Sequence, residues 1–284
     1  MFKNYFSYRK VKKIINKIIC VALVLCCLNS CKKYMQVFET STTNTLIVNE
    51  SYVYETDTVK VTYAFWRKNG IMSFTVFNKL DQPIYIDWKK SSYIPNSNKL
   101  NYWVDEERSK SISYYGGYFY NGPSLREGVT VNLGTASSST SKIKIERITF
   151  IPPKSSYHNY PLHLLSKPYV KIPIDTKSQE IRRNDNPRMK TKVYEVDYSK
   201  DSSPLRFRNF LTLSLTEDFQ NEFYIDCEFY VSKIKEMDYR HFEKYNLRDN
   251  NGRYVYVTPF TRSTAFFVSV PKYGNVEYRR KYGE

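Results

Sequence analysis

Apolar and polar residues alternate with a period of two through most of the chain beyond residue 50, the pattern of strands that bury one face. Over 58–65, Val59, Val61 and Tyr63 alternate against Thr58, Lys60 and Thr62. Asn69-Gly70 follows, two residues that tolerate positive φ and so predict a type I′ hairpin turn. Met72, Phe74 and Val76 then share one face. After a turn over 78–83, Ile84, Ile86 and Trp88 share another, with Tyr85 and Asp87 opposite, so a three-strand meander is expected. Shorter strands are expected over 100–104, 112–120, 129–133 and 142–150, the last ended by Pro152-Pro153 because proline cannot donate to a ladder. One helical turn fits within 157–165. Alternation returns in Leu211, Leu213 and Leu215, in Phe223 through Val231, and in Phe266, Val268 and Val270. Short strands separated by turn residues predict an all-β fold, an antiparallel β-sandwich elaborated with long loops. Residues 51–175 form its first part. Residues 176–204, with Arg182, Arg183, Arg188 and Lys190 around Asn184-Asp185-Asn186-Pro187, read as a basic exposed loop or linker. Residues 205–284 either complete the sandwich or form a second small β domain.

The N-terminus breaks this pattern. Lys3, Arg9, Lys10, Lys12, Lys13 and Lys17 precede an apolar run over 18–28 with no acid among them, the layout of a secretory signal peptide. A helix needs roughly 20 apolar residues to cross a bilayer core, so this run is too short to stay as a stable span. Leu28, Ser30 and Cys31 fill the positions of a lipobox, and the segment resembles the signal peptides of bacterial lipoproteins, from which Asn29 departs. The resemblance implies removal of residues 1–30, a thioether from Cys31 to diacylglycerol and a further acyl chain on the new amino terminus. Several chains hold a protein to a membrane far more firmly than one. Residues 31–50 are then the lipid-attachment site and a tether. By the same resemblance, Lys32 favours the outer membrane of a Gram-negative cell envelope, with the periplasmic or surface face left open. Separately, Phe74-Thr75-Val76-Phe77-Asn78 followed by Pro83-Ile84-Tyr85-Ile86-Asp87-Trp88 resembles Ig-like sandwiches of exported bacterial proteins, which implies a fold and no activity.

Loss of the signal segment leaves 254 residues and lowers the formal charge from +16 to +10. That basic balance suits anionic lipid, lipopolysaccharide or acidic glycan; the exported location argues against nucleic acid. Cys227 becomes the sole thiol besides Cys31, which excludes an intrachain disulfide between free cysteines. It shares a side with Phe223, Ile225, Phe229 and Val231 and reads as a small buried hydrophobe. The 27 tyrosines against 9 glycines favour pleated, half-buried surfaces.

Candidate chemistry is sparse. His158, His163 and His241 have no metal-binding spacing, and no nucleophile motif is present. Carboxylates cluster at Asp105-Glu106-Glu107, Glu217-Asp218 and Asp226 with Glu228, and a flanking pair is what sugar hydrolysis requires. The first is a charged loop, and Asp226 and Glu228 lie on the side opposite Cys227, where alternation predicts solvent. The most distinctive segment is Tyr114-Tyr115-Gly116-Gly117-Tyr118-Phe119-Tyr120, with Trp103 upstream, since tyrosine, glycine and asparagine make adaptable recognition loops. The expectation is a non-enzymatic, lipid-anchored binding or interaction module with no cofactor, engaging a protein or glycan through Trp103, Tyr114, Tyr115, Tyr118, Phe119 and Tyr120. The alternatives are an envelope hydrolase acting on glycan or peptide through a carboxylate pair, and a structural envelope-assembly component.

Overall fold

A computed structural model describes residues 33–103, 146–159, 162–248 and 254–283. The signal segment, Cys31, the 112–120 and 129–133 strands and the Tyr-Gly segment lie outside the described residues. In chain order the strands are β1 (Tyr34–Thr42), β2 (Leu46–Val48), β3 (Ser51–Glu55), β4 (Val59–Tyr63), β5 (Phe74–Asn78), β6 (Ile84–Asp87), β7 (Ser92–Pro95), β8 (Leu100–Asn101), β9 (Ile148–Ile151), β10 (Ser156–His158), β11 (Ser178–Arg182), β12 (Lys190–Asp197), β13 (Arg206–Ser214), β14 (Glu222–Asp238), β15 (Lys244–Arg248), β16 (Tyr254–Val257) and β17 (Ala265–Val270). Two short helices, α1 (Tyr239–Phe242) and α2 (Val276–Tyr282), complete the described elements with one 3₁₀ turn at Lys272–Gly274. The fold is all-β and sandwich-like, with every pairing between these strands antiparallel.

The organising strand is β14, whose 17 residues run through a ten-stranded sheet. Along one edge β13 pairs with Glu222 through Tyr230 and β12 takes over from Lys233 to Met237; along the other, β1 pairs with Phe229 through Asp238. A register shift against β1 between Glu39 and Thr40, which leaves Ser232 without a register partner there, changes the phase of the strand, so that Ile225, Cys227, Phe229, Val231 and then Ile234 all lie in the same core. A second sheet, in the order β10-β5-β4-β3-β2, packs across the core. Between the sheets lies an aromatic centre: Phe229 is within 5.5 Å, centroid to centroid, of Tyr52, Tyr63, Phe65 and Phe207. Such ring pairs each add about 0.5–1.5 kcal/mol beyond area burial.

Buried tyrosines need partners for their hydroxyls, and they have them. Tyr52 donates to the Thr40 carbonyl at 2.6 Å and Tyr93 to the Leu164 carbonyl at 2.9 Å. Asn209 points inward, donating from Nδ2 to the Tyr63 hydroxyl at 3.0 Å and accepting from Tyr102 at 2.7 Å. Tyr34, Tyr52, Tyr63, Tyr93 and Tyr194 are thus part of the interior. Cys227 is buried as expected, and desolvation pushes its thiol up to about 11.

Four sequence expectations are corrected. Residues 34–42 are not tether but strand β1, held between β14 and β17 and buried on both sides, with Phe38 stacked on its register partner Phe266 at 4.7 Å. Core packing on both faces erases alternation, which is why the pattern gave no strand there. Residues 176–204 are not a free loop: β11 and β12 form a hairpin added to the edge of the large sheet. The 157–165 span contains the end of β10 and no helix among its described residues. The three-strand meander ends after two strands. β4 pairs with β5, joined by a ten-residue connection in which Asn69 and Gly70 do adopt positive φ, but β6 leaves for the other sheet and pairs with β9 and β13. Asn78 makes that crossing: fully buried, its Nδ2 donates to the carbonyls of Gln82, Ile151 and Pro152 while its Oδ1 accepts from the Leu80 N–H. Within residues 205–284, β13, β14 and β17 belong to the large sheet, while β15 and β16 pair with each other in a separate two-stranded sheet.

Candidate functional site: a basic and aromatic cleft

The outward face of β13 and β14 carries a feature that a solvated strand face does not require. Phe210 and Tyr224 project to the same side and stack at 5.4 Å with their planes 25° apart, and Tyr224 remains 55% exposed. They border a shallow, solvent-open cleft of about 640 Å³ that is also lined by Lys89, Lys90, Lys99, Arg147, Thr212 and Glu222. Four cations and one carboxylate therefore surround a stacked aromatic pair in which Phe210 is half-buried and Tyr224 is exposed.

Asp87 builds the basic wall. It sits at the end of β6 with its side chain 1% exposed, and its Oδ1 accepts from the backbone N–H groups of Lys89 at 2.9 Å and Lys90 at 3.3 Å. Aspartate favours such turns because its short side chain bonds its own backbone two residues on. Its other oxygen accepts from Arg147 at 3.0 Å, which raises the affinity of that guanidinium for its proton. Ser91 secures the turn to the sheet, accepting from the Thr212 N–H at 3.0 Å and donating to the Asp87 carbonyl at 2.7 Å. A single buried carboxylate thus places three of the four cations.

The cleft has internal electrostatic order. Glu222 is held by Lys90 and accepts from the Tyr224 hydroxyl at 3.0 Å. Lys90 keeps the Glu222 carboxyl below its ordinary range, and Glu222 in turn raises the Tyr224 phenol. Lys89 lies 5.9 Å over the Trp103 ring. Lys99, on the β7–β8 turn, lines the rim and forms no ion pair among the described residues.

Trp103 is thus the sequence-selected residue that the structure brings to the site, half-buried against the core at its edge. Tyr114, Tyr115, Tyr118, Phe119 and Tyr120 lie outside the described residues, as do Asp105, Glu106 and Glu107. Sequence reasoning missed Phe210, Tyr224 and the four cations. The available clue was an aromatic on the polar phase of each of two alternating strands, a position that packing into the core does not explain.

Of the described carboxylates considered for hydrolysis, Asp226 and Glu228 are held in ion pairs. Arg208 donates to Asp226 from both Nε and a terminal nitrogen, and Lys200 donates to Glu228 at 2.7 Å. Asp218 accepts from the Thr216 hydroxyl at 2.7 Å and is exposed. His158 and His163 are exposed, the former bonded to Thr75 at 2.8 Å, while His241 is buried and its desolvation lowers its affinity for a proton. No cluster of three or more metal-ligating side chains occurs among the described residues. Among those residues, no helix is long and apolar enough to cross a membrane.

Comparison with known protein families finds no match, and neither curated proteins nor solved structures give one.

Proposed function

We propose that this is a lipid-anchored cell-envelope protein, attached through Cys31, that binds an acidic glycan in the cleft between Lys99, Arg147 and the Phe210–Tyr224 platform. It acts by binding and not by catalysis. The observation that carries this reading is the partly exposed aromatic stack framed by cations. Sugar rings present C–H faces that lie on an aromatic ring, and carboxylate or phosphate substituents pair with lysine and arginine. A glycan offers both at the spacing of one residue. The ion pairs that occupy Asp226 and Glu228 support the non-enzymatic reading, since a general acid or base has to be free to exchange its proton.

The test is calorimetric titration of the protein with an oligogalacturonate, and with a neutral oligosaccharide of the same length as control. Binding of the acidic ligand is expected to fall at least tenfold in Tyr224→Ala and in Lys99→Glu and to weaken with added salt, because exposed charges are screened. Equal binding of acidic and neutral oligosaccharides, or no effect of either substitution, overturns the reading. The attachment is tested separately, by the mass of the mature amino terminus.

A further inference from the structure

We infer that the pole of the domain formed by α2, the Lys272–Gly274 turn and α1 rests on the anionic surface of the membrane and fixes the orientation of the protein. The inference relies on attachment at Cys31 and adds to it a second, non-covalent contact.

The geometry starts from the length of the leash. Strand β1 begins at Tyr34, which is buried and donates its hydroxyl to Glu277 at 3.0 Å. Only Lys32 and Lys33 separate it from Cys31, and three residue spacings reach about 10 Å when fully extended. Whatever surrounds Tyr34 is therefore drawn against the headgroups. Those surroundings are well defined: the Tyr239 N–H donates to the Lys33 carbonyl at 2.8 Å, Lys33 Nζ lies 4.5 Å over the Tyr239 ring, and Tyr34 pairs with Val270 at the end of β17. The chain continues directly from Val270 into the 3₁₀ turn and α2.

This pole has the composition of an interfacial surface. Tyr273 is 67% exposed and Tyr282 62% exposed, and Tyr278 and Tyr282 pair at 4.5 Å. Tyrosine is enriched where one end of a side chain is apolar and the other wet, as at a membrane boundary. Lys33, Lys272, Arg280 and Lys281 are all exposed. The acids nearby are Glu277, which accepts from Tyr34 and Tyr194, Glu243, which accepts from Tyr239, and Asp238, which caps the Arg240 N–H; with Arg240 also exposed, the exposed cations outnumber them. Basic side chains beside a membrane are attracted to anionic lipid within about a Debye length. The surface is also held rigidly, because buried Glu236 accepts from the first N–H of α2 at 2.8 Å and from Gln36 at 2.8 Å.

The experiment uses the full chain, purified in detergent and reconstituted into vesicles of phosphatidylcholine alone or with phosphatidylglycerol added. Amide hydrogen exchange is followed over 239–243 and 272–283, and acylation of Cys31 is read by mass on the same sample. Exchange in these segments is expected to slow several-fold in the anionic vesicles, with no change over 222–226 at the cleft. The exposed-site variant Lys272→Glu/Lys281→Glu is expected to lose that protection while keeping its melting temperature. An acylated chain with no protection at this pole, or with protection that the variant retains, overturns the inference and leaves the anchor standing. An unmodified Cys31 overturns both.

Discussion

The two faces of the β13–β14 ribbon are made from the same two strands in one register and do opposite things. Inward, Phe207, Asn209, Leu211 and Leu213 face Ile225, Cys227 and Phe229, and every one is buried. Outward, Arg208 reaches Asp226 and Phe210 stacks on Tyr224 within reach of solvent. The inner face hides polar atoms by pairing them, as Asn209 does with Tyr63 and Tyr102. The outer face leaves apolar rings uncovered. The contrast teaches that the informative residues of this protein are those that disobey their own side of the pleat, since a buried amide marks a fold constraint and an exposed aromatic marks a surface for something else.

If that division is right, the inner face should dominate stability. Phe229→Ala removes the ring at the centre of the aromatic core and is expected to destabilise by about 3–5 kcal/mol, read from denaturant unfolding. A loss below roughly 1 kcal/mol would mean that the core rearranges around the gap and that the two faces differ less than described.

The next effect is alkaline. Burial holds the Cys227 thiol at about 11 and the Tyr63 phenol well above its usual range. Below about pH 8 the thiol is protonated folded and unfolded alike, so the full stability is present. As pH rises toward 11 the unfolded chain ionises while the folded chain does not, and stability falls, by roughly 2–3 kcal/mol from Cys227 alone. Cys227→Ala should flatten that alkaline limb in part; an unchanged limb would show that the thiol ionises in the folded state.

The smallest effect belongs to the outer face. Arg208→Ala removes a pair whose members are both more than a third exposed, and its cost is expected to stay under about 1 kcal/mol in thermal melts. A larger loss would make the outer face part of the scaffold.

The sequence made some of this visible. Strong alternation in β13, β14 and β17 placed Leu211, Cys227, Phe229, Phe266 and Val268 in the core, and Asn69-Gly70 announced its positive φ. What stayed hidden depended on non-local partners. β1 is buried on both faces only because β14 and β17 flank it, and Gln36, which reads as polar, is buried because it bonds Glu236 and the Val170 backbone. The cleft was hidden for the same reason: Lys89, Lys99, Arg147, Phe210 and Tyr224 come from five separate segments, and Asp87 reads as an outward residue until Arg147 and the turn close over it.

The position of β1 also dictates the order in which the chain can be completed. Its side chains meet partners 200 residues away at Glu236 and 243 away at Glu277, so β1 is enclosed only once β14, β17 and α2 are in place. Contacts of such separation slow folding, because loop closure precedes the gain from pairing. A chain that stops before residue 265 leaves β1 without β17 and its backbone edge open, a template on which a second chain can add a strand. Truncation of the last 20 residues is therefore a route to association between copies as well as to loss of the terminal helix.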